Sequence, residues 1–129
     1  MIPTQISLKQ KGAGTVEYTP VKALNTFLRD WKIKARIESK TDKKITSKGG
    51  SLLKITLLDK YGSQIDATFF NEAADSFDCQ IQDNKVYLFS NGNVKMANKK
   101  FTSTKNDFCI VFEKNASIFP VDDDGSIAA

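Results

Sequence analysis

The residues of this sequence with the clearest chemical potential are two phenylalanines and a set of lysines. In QIDATFF, residues 64 to 70, Ile65, Ala67 and Phe69 share one parity and Phe70 takes the other. If the first three line a core, the pleat of a strand turns Phe70 outward. In NVKMANKKFTSTKND, residues 93 to 107, Val94 and Met96 share one face, while Lys95, Lys99 and Phe101 share the other. From Asn84 to Asn106 the basic residues are Lys85, Lys95, Lys99, Lys100 and Lys105, with no acidic residue among them. An earlier segment, TDKKITSKGG, adds Lys43, Lys44 and Lys48 beside Asp42. Flat rings in water offer stacking surfaces, and lysines offer charge to a polyanion. One ligand meets both demands: a nucleic acid strand whose bases are unpaired. Its base faces stack on rings for about 1–3 kcal/mol each, and its phosphates exchange counterions for lysines. A duplex hides those base faces. A single exposed aromatic is ordinary for a protein surface; two, each on a strand whose other face supplies core, carry more weight. Two asparagines stand beside this set. Asn71 suits a helix cap or a base-edge contact, with capping favoured, and Asn106 suits a base edge or a local backbone bond.

Other chemistries lack their residues. The chain contains no histidine, which removes Ser-His-Asp and Cys-His nucleophile pairs and histidine metal sites. Cys79 and Cys109 have no Cys-x-x-Cys spacing and are expected as free thiols, with a single disulfide between them left open. No Gly-rich phosphate loop is present, and Asp122, Asp123 and Asp124 read as a solvated acidic end rather than a metal site. The expectation is therefore a non-enzyme with no metal and no cofactor. No apolar run is long enough to span a bilayer and no secretory pattern opens the sequence, so a soluble intracellular protein is expected. The net charge of +4 leans only mildly toward polyanions.

The elements that must position these residues are mostly strands. At 129 residues the chain is one domain. Residues 1 to 20, with Gly12 and Gly14, read as a flexible lead-in or linker. PVKALNTFL, residues 20 to 28, reads as a short helical turn or a segment packed across the core. WKIKARIESK (31–40) alternates apolar and charged residues, as a half-buried strand does. SLLKITLLD (51–59) and QIDATFF (64–70) follow, joined by the DKYGSQ turn. Asn71 then opens a short helix with Ala73, Ala74 and Phe77 on its apolar stripe. KVYLFSNG (85–92), its continuation past Gly92, and DFCIVFEK (107–114) return to strand. The expected core is Ile33, Ile37, Leu53, Ile55, Leu57, Ile65, Phe69, Val86, Leu88, Phe108, Ile110 and Phe112. Residues 121–129 read as a frayed acidic tail that could compete with a polyanion for the basic groove. Five strands with a helix between the third and fourth match an all-β OB-fold, a Greek-key barrel spanning residues 21–120. In that barrel the two basic segments fall in the first and last inter-strand loops, which flank the face that binds oligonucleotides.

The segments FNE (70–72), NKVYLFSNGNVKMANKKFTSTKNDF (84–108) and DWKIKARI (30–37) resemble the large subunit of replication protein A, in the first of its tandem high-affinity OB domains. The resemblance runs from Val21 to Asp124. It implies stacking roles for Phe70 and Phe101, a backbone-contacting role for Lys95, and first-loop contacts near Lys44 and Lys48. Lys99 and Lys105 join them as phosphate contacts. The residues alone do not separate DNA from RNA, since stacking rings do not read a 2′-hydroxyl; DNA is what the resemblance implies. Tandem OB domains of one chain, smaller OB-fold subunits and a nuclear location follow from it. Three departures stand out: the family's first-loop aromatic has no counterpart, an arginine of its third strand is Asp66, and a glutamate of its last strand is Cys109. These departures keep open a telomerase-associated paralogue, which would bind G-rich telomeric strands with telomerase components as partners. They also keep open a protein-interaction OB domain without strong DNA binding.

Overall fold

A computed structural model describes residues 18–28, 30–98 and 104–128. Among these described residues eight strands form one sheet: β1 (Ile33–Lys40), β2 (Lys44–Ile45), β3 (Ser51–Leu58), β4 (Gln64–Phe70), β5 (Val86–Ser90), β6 (Asn93–Met96), β7 (Phe108–Phe112) and β8 (Ser117–Pro120). One short helix, α1 (Glu72–Phe77), lies between β4 and β5, and a 3-10 turn, Val21–Ala23, precedes β1. The strand order is β6-β7-β4-β3-β1-β5-β8, with β2 paired to β3. The β4–β7 pairing is parallel and every other pairing is antiparallel. β5 and β6 stand far apart along that order, yet only Asn91 and Gly92 separate them in sequence. The sheet therefore curls back on itself, and the interrupted strand closes it. This is the expected OB-fold, with the helix between the third and fourth main strands.

Two devices make the curl possible. β1 gives Ile33–Arg36 to β5 and Arg36–Lys40 to β3, with a register shift between Ile37 and Ser39 that leaves Glu38 as an extra residue. Such a bulge bends a strand and tightens its twist. At the second corner, a side chain on Gly92 would strike Phe112 Cε1 at 2.6 Å and Ile110 Cγ2 at 2.7 Å. Only a residue without Cβ lets the strand turn this close to the core.

The core follows the alternation read from β1, β3, β4 and β7. Ile33, Ile37, Leu53, Ile55, Leu57, Ile65, Phe69, Ile110 and Phe112 are all fully buried. Phe69 stacks on Phe112 at a centroid distance of 5.0 Å, and Phe77 of α1 closes on Phe69 at 5.6 Å. β5 departs from expectation. Tyr87 and Phe89 face the core, Leu88 is half-buried opposite Phe119, and Val86 is buried as expected, though outside the central cluster. Phe108 is only partly buried against the core. The expected parity for β5 assumed one unbroken strand through Gly92. The corner at 91–92 inserts a residue, so the parity before it is the reverse of the parity after it.

The segment 20–28 does both things expected of it: it makes the 3-10 turn and buries Val21 and Leu24. Both cysteines are free thiols. The expectation of a frayed end does not hold for residues 121–128. The buried Arg36 guanidinium donates to Ile127 O, Ala128 O and Asn84 O at 2.7–2.9 Å and pairs with Asp123 at 2.8 Å. Lys34 pairs with Asp124 at 3.2 Å, and Ile127 is buried. The tail lies against β1, so its two clamped carboxylates are not competitors for a groove built on other strands.

Candidate nucleic-acid interface

The outward side chains of β3, β4, β7 and β6 fall into three rows, because residues paired across a sheet share a face. The first row is Lys44, Leu52 and Phe70. The second is Lys54, Thr68, Val111 and Asn93. The third is Thr56, Asp66, Cys109 and Lys95. Phe70 and Lys95 thus sit at opposite corners of one surface, separated by roughly 10 Å across the strands and roughly 13 Å along them. Phe70 is 37% exposed at the end of β4, whereas its neighbour Phe69 is fully buried. The parity argument for Phe70 therefore holds.

The end of β4 is fixed by bonds that do not involve the ring. Asn71 N donates to Ser51 O at 2.8 Å, and Ser51 N donates back to Asn71 Oδ1 at 3.3 Å. Asn71 adopts φ 54° and ψ −119°, a conformation that side chains rarely adopt, at the N-cap position of α1. Its side chain makes no capping bond to the helix, contrary to the role favoured from sequence. It binds the start of β3 instead. Gly50 passes so close to Asn71 Oδ1 that any side chain there would overlap it. Ser51 Oγ donates to Asp75 at 2.8 Å, and Lys43 pairs with the same carboxylate at 3.2 Å. The Ser51 bond first, then Lys43, holds the Asp75 pKa below its ordinary value. Together these contacts anchor the first loop to α1 beneath Phe70.

Lys44, Lys48, Lys95 and Lys105 are exposed and form no ion pair among the described residues. Lys44 and Lys95 lie on the surface just described, and Lys48 lies in the hairpin loop beyond β2. Lys105 stands apart, with Asn106, near the start of β4. Asn106 Nδ2 donates to Gln64 O at 2.9 Å and its Oδ1 accepts from Phe108 N at 2.9 Å, so this side chain ties the loop before β7 to β4. Of the two readings of Asn106, these bonds are the local backbone one. Lys99 and Phe101 lie outside the described residues.

Sequence reasoning missed Lys54, which occupies the middle row. Its parity, opposite to Leu53 and Ile55, was the available signal. The third row holds two of the three departures from the family pattern. Asp66 is buried and accepts from Thr56 Oγ1 at 2.9 Å. Cys109 lies beside it, and burial pushes the thiol pKa up, helped by the Asp66 charge and opposed by Lys54 and Lys95. Beside Phe70 stand Glu72, Glu113 and Lys114. The immediate surroundings of the ring thus carry more negative than positive charge, while Lys44, Lys54 and Lys95 lie further out on the same surface.

The family described as "Domain of unknown function DUF223" matches residues 22–127. The 70 kDa DNA-binding subunit of replication protein A from Xenopus laevis is 37% identical over 123 residues, covering 93% of this chain and 20% of that protein. The chain thus spans about a fifth of the length of that relative. A solved replication protein A heterotrimer bound to single-stranded DNA superposes with a TM-score of 0.80 at 36% identity, over 84% of this chain and 26% of that one. DNA-binding domain A of Saccharomyces cerevisiae replication protein A superposes with a TM-score of 0.66 at 27% identity, over 83% of this chain and 96% of that domain. The chain belongs to the DUF223 family, and it is similar in sequence and fold to the replication protein A large subunit.

Proposed function

We propose that this chain binds single-stranded DNA, as one module of a multi-OB protein acting in DNA replication or repair. The observation that carries the reading is one continuous sheet surface holding an exposed ring, Phe70, together with Lys44, Lys54 and Lys95. Phe70 stacks on a base, and Phe101 supplies the second ring. Lys44, Lys48, Lys54, Lys95, Lys99 and Lys105 meet phosphates. Asn71 and Asn106 shape the backbone around the site rather than read base edges. The module acts by binding and not by catalysis, and it works with further OB domains of its own chain and with other subunits, in the nucleus. One module binds modestly; linked modules gain through effective concentration. Support comes from relatives named as DNA-binding subunits and from the heterotrimer solved with single-stranded DNA.

The test is binding of Phe70→Ala to a fluorescent oligonucleotide. The expected loss is about 1–3 kcal/mol with the melting curve unchanged, because the ring contributes to stacking and little to the core. A variant that unfolds, or binds as tightly as the parent, would remove Phe70 from the site. Competition with random, pyrimidine-rich and G-rich telomeric strands, and with RNA and duplex, sets the ligand class. A strong G-rich preference would point to a telomeric paralogue; no binding to any strand would point to a protein-interaction domain.

A further inference from the structure

Phe27 is 87% exposed, more than any other large apolar side chain among the described residues. It is not on a frayed turn. Asn25 Oδ1 accepts from Phe27 N at 2.8 Å and from Leu28 N at 2.9 Å, a side-chain-closed turn that fixes the backbone under the ring. On either side of Phe27, Thr26 and Leu28 line a cleft of about 370 Å³. This is the size of a small ligand site, at the lower end of the usual range of about 300–1,000 Å³.

The far wall of the cleft is the β5–β6 corner. Gly92 contributes only backbone to that wall, Asn93 and Asp30 supply hydrogen-bonding groups, and Lys95 supplies a cation. Lys95 is also a corner of the surface assigned above to single-stranded DNA. Asn115 lines both this cleft and the one beside Phe70. The cleft thus shares Lys95 with the proposed binding surface and Asn115 with the cleft beside Phe70. Its chemistry suits a nucleotide: amide and carboxylate oxygens for base N–H donors and an ammonium for a phosphate, with the solvent-exposed Phe27 ring next in sequence to two of its lining residues to offer a base face.

We propose that this cleft is a further subsite for one unpaired nucleotide, placed beyond Lys95, with Phe27 as its stacking ring. The inference rests on the single-stranded DNA reading and adds a nucleotide to the path. The experiment is anisotropy titration of the full chain with thymidine oligonucleotides lengthened one nucleotide at a time. The wild type, Phe27→Ala, Phe27→Tyr and Phe70→Ala are compared. Phe27→Ala should match the wild type on the shortest strands that bind and lose about tenfold on longer ones, reaching its plateau one nucleotide earlier. Phe27→Tyr should restore the plateau, and Phe70→Ala should lose affinity at every length. Phe27→Ala that matches the wild type at every length overturns the subsite while leaving the surface intact. Equal loss on the shortest strands also overturns it, since the ring would then belong to the main surface. A wild type that binds no strand overturns the surface and the subsite together.

Discussion

Two faces of this barrel carry cations in opposite ways. On β1, Lys34 and Arg36 are matched to carboxylates and carbonyls of their own chain, and the result is a clamped C-terminal segment. On the surface built from β2, β3, β4, β7 and β6, Lys44 and Lys95 find no carboxylate among the described residues. Sequence composition scores these lysines alike. The structure separates cations already committed to the fold from cations available to a ligand. A paired cation strengthens the fold; an exposed one keeps its hydration and its counterions until a polyanion displaces them.

Removing one clamp should give the largest effect. Arg36→Ala leaves three carbonyls and Asp123 without their donor, and should lower stability by about 3 kcal/mol in chemical denaturation. Oligonucleotide affinity of the folded protein should not change. A drop in affinity without loss of stability would mean that the β1 face also touches the ligand.

The mirror experiment changes the open cations. Lys44→Gln and Lys95→Gln should each reduce the slope of log affinity against log salt by about 0.7, with stability retained. Lys34→Gln should leave that slope alone. Equal slopes for all three variants would erase the distinction between the faces.

The smallest effect concerns pH. The Arg36 bond, then the Gly125 N–H, holds the Asp123 pKa below its ordinary 3.8. The Ser126 hydroxyl and N–H, then Lys34, hold Asp124 lower still. A depressed folded value means the contribution is complete above about pH 4 and fades as pH falls through the folded values. Amide exchange at Ile127 should therefore quicken only under strong acid; Asp123→Asn should weaken that dependence and the double change Asp123→Asn, Asp124→Asn should abolish it. Loosening near neutral pH would contradict the clamp.

How far the sequence reveals all this depends on how strictly each strand alternates. β1, β3 and β4 alternate apolar and polar residues over enough of their length that Ile33, Leu53 and Ile65 announce the core, and the parity of β4 then puts Phe70 outside. β5 reads VYLFS, nearly all apolar, and carries no parity of its own. Its orientation is set by a corner that only the packing of Gly92 on Phe112 explains. β2 and β8 are too short, two and four residues, to leave a periodic trace. The clamp was hidden for another reason. Arg36 and Asp123 lie 87 residues apart, and a run of aspartates at a chain end looks the same whether it is solvated or held.

The corner at Asn91 and Gly92 also decides what the rest of the strand shows to the world. Counting every second residue onward from the buried Phe89 would bring Lys95 to the oily side and throw Val94 into water. The hinge residue resets that count. Deleting a single amino acid there should turn β6 over like a flipped tile, trading the Lys95 ammonium for the Val94 isopropyl group on the outer surface while scarcely altering the chain's length.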